Sequence, residues 1–97
     1  MATEDDIKRE MKDYIDRSGG APGSWYAGIA ADPRKRLFSD HSVDENGAWI
    51  FQTSSTADEA RRVEEYLIGL GCDGGGGGGD AATKAVYAYK KTTNTDP

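Results

Sequence analysis

The residues of this 97-residue chain that are best suited to chemistry fall between Ser24 and His41. Arg34, Lys35 and Arg36 place three cations in a row, and the only histidine of the sequence follows five residues later. Cationic side chains bind anionic groups such as phosphate, and an imidazole exchanges protons near neutral pH. The stretch therefore has the residue types of an anion-binding or acid–base site.

Two elements must position these side chains. Residues 25–30 alternate large and small side chains with period two, which predicts a strand. Asp32 and Pro33 follow at once and are typical of the N-cap and the first turn of a helix. We therefore expect a strand that turns directly into a basic helix.

A regular helix would place the basic side chains on different sides. With Leu37 and Phe38 on the buried side, Arg34 and His41 lie toward the sheet, whereas Arg36 points roughly away from it. Helical geometry alone therefore favours Arg34 or His41 over Arg36 as the functional side chain.

A later helix offers a candidate metal ligand. Thr56 and Glu59 form a predicted capping box, and an apolar stripe follows as far as Gly71. Glu64 lies at the border of this stripe, whereas Glu65 points almost directly away from it. A border position gives a carboxylate the partial desolvation and the access to a ligand that a metal site needs.

The order of these motifs resembles the second half of the GIY-YIG nuclease signature. Tyr26-x-Gly28 is similar to its YIG strand, Arg36 to the catalytic arginine of the next helix, and Glu64 to the metal-binding glutamate of a later helix. The resemblance covers about half of the chain, from Trp25 to about residue 70.

The resemblance implies a role for each of the candidate site residues. A Mg²⁺ ion on Glu64 would neutralise phosphodiester oxygens, and Arg36 would stabilise the charge of the pentavalent transition state. Tyr26 or Tyr87 would position or deprotonate the attacking water. His41 would serve as a base or as a phosphate contact.

One part of the family pattern is missing before Trp25, where the family has a GIY strand paired with the YIG strand. Residues 84–90 alternate again and predict a third strand, with Tyr87 and Tyr89 on one face. We hypothesise that this strand lies antiparallel beside residues 25–29. It would then return Tyr87 to the place of the missing tyrosine, as in a circular permutation.

The remaining patterns define the fold. Thr3 and Asp6 form a capping-box variant before a predicted helix over residues 4–17, and the aromatic, β-branched run 49–53 predicts a strand. These elements predict an α+β fold, a three-stranded antiparallel sheet with three helices in the order α-β-α-β-α-β. The length indicates a single domain over residues 1–97, and the polar tail 91–97 is expected to fray.

Six consecutive glycines, Gly74 to Gly79, form the least usual segment of the sequence. Such a run predicts a free loop because glycine loses the most backbone entropy on ordering. Two alternatives stay open, an anion nest of bare amides and a metal held by Asp73 or Asp80.

Composition limits the choice of partners. Seventeen acidic and twelve basic residues give a net charge of -5, so tight binding of nucleic acid needs local charge segregation or a metal ion. One cysteine, Cys72, indicates a reducing compartment, and no segment suits a signal peptide or a bilayer span. We expect a cytoplasmic protein without membrane contact, in which an open sheet edge offers a surface for a homodimer.

Two functions other than cleavage stay open. In one, the scaffold binds a nucleotide or an acidic ligand without catalysis, through Arg34 and the rings of Trp25, Tyr87 and Tyr89. In the other, the chain is an acidic protein-interaction module, for example a phage-type inhibitor, that presents a negative surface to its partner.

Structural roles are a further alternative for the single residues. Tyrosines in strands usually pack in a core, and Glu64 can pair with Arg61 or Lys35 at the surface. His41 can complement the dipole at the end of its helix.

Overall fold

The computed structural model describes residues 3–19, 21–74 and 82–95. Most of the glycine run, together with Asp80, lies outside these residues. The described chain confirms the predicted α+β fold and the order α-β-α-β-α-β. Its elements are α1 (Glu4–Ser18), β1 (Trp25–Ala30), α2 (Pro33–Lys35), β2 (Trp49–Thr53), α3 (Ala57–Leu70) and β3 (Ala85–Lys90).

The three strands form one antiparallel sheet in the order β1-β3-β2, so the last strand of the chain is the central one. Tyr89 lies opposite Tyr26 of β1, and Tyr87 lies opposite Gly28. The expected antiparallel pairing of the C-terminal strand with the Tyr26 strand is therefore confirmed. The circular permutation that this pairing suggested stays a hypothesis.

The sheet is covered on both faces. The core face packs against α1 and α3, and its cluster contains Ile7, Met11, Ile15, Trp25, Ala27, Val63, Leu67, Cys72, Val86 and Ala88. The opposite side, called the aromatic face here, packs under α2 and the turn that follows it. Its cluster joins Tyr26, Tyr87, Tyr89, Trp49 and Phe51 to Leu37, Phe38 and Val43. Period-two alternation along the strands produces this division.

Local caps account for the two long helices. The Thr3 hydroxyl accepts a hydrogen bond from the Asp6 backbone, and the Asp6 carboxylate accepts one from the Thr3 backbone, as predicted. Thr56 caps α3 by accepting a hydrogen bond from the Glu59 backbone. The Glu59 carboxylate, however, accepts from the backbone of Ser55 and not of Thr56, so the second half of the predicted box is shifted by one residue.

The two sheet edges differ. Asp73 pairs with the outer edge of β1, where its N–H donates to Trp25 and its carbonyl accepts from Ala27 at 2.8 Å each. On the outer edge of β2, the Trp49 N–H donates to the Tyr14 hydroxyl at 3.2 Å. In the described part of the chain, no helix combines the length and the apolar character needed to cross a membrane.

Candidate functional site

The basic segment is not a regular helix. After Asp32 caps the first turn, the backbone N–H of His41 donates to the carbonyl of Arg36 at 2.9 Å, five residues back. Five residues span about 140° around an α-helix, whereas in a π turn they lie nearly above each other. The expectation that Arg36 points roughly away from the sheet assumed a regular helix and stays a prediction, and the Arg36 side chain is half exposed. The π turn brings His41 to Tyr87, and Arg36 at the start of the turn pairs with Asp40.

Backbone strain ends this turn. Ser42 has a φ of 56°, the only non-glycine in the described ranges with a positive φ. The left-handed conformation costs an L-residue on the order of 1 kcal/mol. The chain then closes with a hydrogen bond from the Val43 N–H to the Leu37 carbonyl at 2.9 Å. His41 is thus fixed between a π turn and a strained serine, and both are features that cluster at functional sites.

Gly28 makes room for the central tyrosine. A Cβ atom built on Gly28 would lie 2.5 Å from the hydroxyl oxygen of Tyr87 and 2.6 Å from the carbon that bears it. The phenol of Tyr87 therefore lies directly across β1 at this position. The glycine of the Tyr26-x-Gly28 motif is needed because only a residue without a side chain permits this approach.

His41 connects two tyrosines beneath the surface. Its Nε2 atom lies 2.7 Å from the Tyr87 hydroxyl, and its Nδ1 atom lies 3.2 Å from the Tyr89 hydroxyl. The tautomer of the imidazole decides which nitrogen donates. Tyr26 covers this group, with its ring 4.9 Å from the imidazole and stacked on Tyr89 at 5.4 Å. The structure thus brings four of the predicted site residues, the three tyrosines and the histidine, into one hydrogen-bonded and stacked cluster.

Arg36 joins this cluster from the solvent side. About half of its side chain is exposed, and its guanidinium lies 3.5 Å from the Asp40 carboxylate. A hydrogen-bond interaction with Tyr87 raises the pKa of Arg36. Burial raises the pKa of the Tyr87 hydroxyl, and the guanidinium partly offsets that rise. Arg36 is thus a charged group on the solvent-exposed side of the cluster.

Glu64 is the candidate metal ligand, and α3 places it as the helical wheel predicts. Glu64 is 4% exposed, whereas Glu65 is exposed. Within the described chain the Glu64 carboxylate has no hydrogen bond and forms no ion pair with Arg61 or Lys35. Burial raises its pKa. Its negative charge also raises the pKa of Tyr87, and this effect is smaller than that of burial.

The carboxylate of Glu64 suits only a metal ion that takes most of its ligands from water and from the substrate. Among residues 3–19, 21–74 and 82–95, no group of three or more His, Cys, Asp or Glu side chains is arranged to hold an ion. Mg²⁺ commonly binds through one or two carboxylates and completes its shell with waters and substrate phosphates. Fully buried polar side-chain atoms all have partners in the described ranges, so the unpartnered oxygens of Glu64 reach the surface. Glu64 therefore suits a Mg²⁺ ion of this kind.

Two of the predicted ligand-binding residues lie outside the cluster. Trp25 is fully buried on the core face, where Tyr14 packs edge-on against its ring at 5.9 Å, so the ring does not face a ligand. Arg34 lies on the aromatic face but above Phe51, at 5.3 Å from the ring centre. The third, Tyr89, is in the cluster but fully buried, and it contacts His41.

Charge is segregated between the two faces. The helices of the core face are acidic: α1 carries six acidic and four basic side chains, and α3 carries three acidic and two basic side chains besides the candidate ligand Glu64. On the aromatic face, the segment from Pro33 to Asp40 carries three cations and one carboxylate. This is the local segregation that an acidic chain needs to bind an anion.

Comparison with protein-family models, with curated proteins and with solved structures found no significant match to this chain.

Proposed function

We propose that this protein is a Mg²⁺-dependent phosphodiesterase that cleaves nucleic acid, with its site on the aromatic face. One observation carries the proposal. The π turn holds His41 against the Tyr87 and Tyr89 hydroxyls, with the partly exposed Tyr26 beside it and the exposed Arg36 at the start of the same turn. An exposed guanidinium that can bind a phosphate and, on Glu64, a carboxylate that can hold a metal ion are groups that phosphoryl transfer requires.

Exposure divides the predicted catalytic residues into two layers. Tyr26 is partly exposed and Arg36 is half exposed, so these two side chains can contact a substrate. Tyr87 is 1% exposed and His41 is 6% exposed, so these two lie beneath. In this proposal Tyr87 and His41 are positioning residues, because they hold the guanidinium and the Tyr26 ring in place.

The exposed groups have defined tasks. Arg36 binds a non-bridging oxygen of the scissile phosphate, where its charge opposes the charge that develops in the transition state. Tyr26 orients the attacking water, whose oxygen forms a bond to phosphorus as the bond to the leaving oxygen breaks. The water loses a proton to solvent, and the leaving oxygen takes up a proton from solvent. Glu64 would hold the Mg²⁺ ion, which supplies Lewis-acid stabilisation of the phosphate oxygens when bound.

The test compares Glu64→Gln with Glu65→Gln, which changes the neighbouring but exposed carboxylate. Cleavage of a labelled oligonucleotide is followed with Mg²⁺ and with chelator. We expect Glu64→Gln to lower the rate at least about a hundredfold, the scale of losing one electrostatic contributor, and Glu65→Gln to leave it unchanged. Variants purified in parallel exclude a contaminating nuclease, since it would be present in both.

A metal titration followed by two-dimensional NMR gives the second readout. We expect shifts centred on Glu64, Tyr26 and the basic segment in the wild type, and their loss in Glu64→Gln. A wild type that neither cleaves nor responds to millimolar Mg²⁺ or Mn²⁺ would rule out the proposal. The non-catalytic nucleotide-binding and acidic interaction functions would then be the ones to pursue.

A further inference from the structure

Three partly exposed rings form a surface beside the candidate site. Phe38, Trp49 and Phe51, named the aromatic platform here, lie on the aromatic face around β2. The rings of Trp49 and Phe51 are nearly parallel, at 7° and 6.1 Å between centres. Phe38 packs edge-on against Trp49 at 5.1 Å. Partly exposed aromatic rings can stack on unpaired nucleobases.

Arg34 adds a cation with an unusual environment. Its guanidinium lies over the ring of Phe51, and no carboxylate in the described ranges lies within 4.0 Å of it. Six other basic side chains of these ranges form ion pairs, namely Lys8, Arg9, Lys12, Arg36, Arg62 and Lys91. A ring thus orients Arg34 without neutralising it, so its full charge is available to an anionic ligand.

The platform is continuous with the candidate site. Phe51 lies opposite Tyr87 in the strand register, and Trp49 lies opposite Tyr89. Arg34 lies over Phe51 on the β2 side of this face. Arg36 begins the π turn that brings His41 to the cluster, and the exposed Lys35 lies between the two arginines in sequence. Three consecutive cations therefore connect the aromatic platform to the cluster across the outside of α2.

We infer that this surface binds single-stranded nucleic acid, with bases on the aromatic platform and a phosphate on Arg34. The inference rests on the proposed function, for which it names the substrate class. The rings can stack only on bases that are unpaired. Three cations are also few for a duplex, whose affinity depends on many phosphate contacts, and the acidic core face repels the remainder of a duplex.

The test measures binding in the presence of chelator, so that no cleavage occurs. A labelled single strand of about ten nucleotides is titrated with the wild type and with Arg34→Gln, Trp49→Leu and Arg17→Gln. Arg17 is the matched control, because it is an exposed arginine of α1 with a hydrogen bond to a backbone carbonyl. Circular dichroism confirms that each variant is folded.

We expect Arg34→Gln and Trp49→Leu each to weaken binding about tenfold, and Arg17→Gln to change it less than about twofold. Losing one phosphate contact should also reduce the slope of log affinity against log salt by about 0.7. The matching duplex should bind at least about tenfold more weakly than the single strand.

Three results would overturn the inference. One is equal weakening by Arg34→Gln and Arg17→Gln, which would show a diffuse charge effect. Another is a duplex that binds as well as the single strand. The third is a wild type that does not bind and elutes as a dimer that buries Trp49. Since binding is measured without metal, platform variants that bind normally refute this inference alone, and intact binding without Mg²⁺-dependent cleavage refutes the proposed function alone.

Discussion

The two faces of the sheet are built on different principles. The core face consists of aliphatic side chains with the buried ring of Trp25, packed under two well-capped helices. The aromatic face contains a π turn, a serine with positive φ and a glycine under a tyrosine. On α3, Glu64 is nearly buried and has no hydrogen bond or ion pair in the described ranges. Strained features of this kind cluster at functional sites, so the contrast favours the aromatic face as the place of the proposed site.

The largest effect on this contrast is expected from Gly28→Ala. The new Cβ would meet the Tyr87 phenol at 2.5 Å, and the buried ring cannot move without losing His41. We expect a loss of about 2 kcal/mol in the free energy of unfolding, the usual scale of overpacking, together with loss of cleavage. Urea denaturation and the cleavage assay measure the two effects.

Gly69→Ala is the control for this change. Gly69 lies in α3, and no described atom beyond its own helical turn lies within 4 Å of the place that an alanine methyl would take. Alanine there should stabilise the helix by about 0.5–1 kcal/mol. Similar destabilisation by both substitutions would contradict the role assigned to Gly28. A Gly28→Ala variant with full activity would do the same.

Glu64→Gln should change the free energy of unfolding less than Gly28→Ala does, and in the opposite direction. Because burial raises the pKa of Glu64, the folded state binds its proton more tightly than the unfolded state does. The wild type therefore loses stability as pH rises through the raised pKa, and regains it as pH falls below the ordinary carboxyl range. We expect the glutamine variant to be about 1 kcal/mol more stable at neutral pH, and this advantage to vanish near pH 4.

Chemical denaturation at several pH values measures this difference, with Glu65→Gln as control. Glu65 is exposed, so its variant should stay within about 0.5 kcal/mol of the wild type at every pH. A Glu64→Gln variant that is less stable than the wild type at neutral pH would show that the carboxylate has a structural partner. Glu64 would then be a structural residue and no longer the candidate metal ligand.

The secondary structure could be predicted from sequence because its signals are local. Thr3, Asp32 and Thr56 mark helix starts within a few residues, and the period of two marks each strand. The same period also separates Trp25 from Tyr26, since neighbours in a strand face opposite sides. That signal was sufficient to exclude Trp25 from a site that contains Tyr26.

The π turn could not be predicted from sequence, because its cause is distant. The Tyr87 hydroxyl that His41 contacts comes from a strand 46 residues later, and only the folded sheet brings it near. The one available signal was the conflict over Arg36, which the motif favoured and the regular helix disfavoured. A conflict between two such criteria is informative in itself, because it marks a place where local geometry departs from the ideal.

The smallest effect is expected at Ser42, and it tests whether the turn after His41 is strained. Glycine has no penalty at a φ of 56°, although it loses more backbone entropy on folding. We expect Ser42→Gly to raise the free energy of unfolding by about 0.5 kcal/mol, as the difference between these two contributions. Ser39→Gly, three residues earlier inside the π turn, should lower it by about 0.5 kcal/mol, because only the entropy cost applies there. If urea denaturation shows that both variants change the free energy of unfolding in the same direction, Ser42 stores no strain. Changes in opposite directions would assign the strain to Ser42, which follows His41 directly.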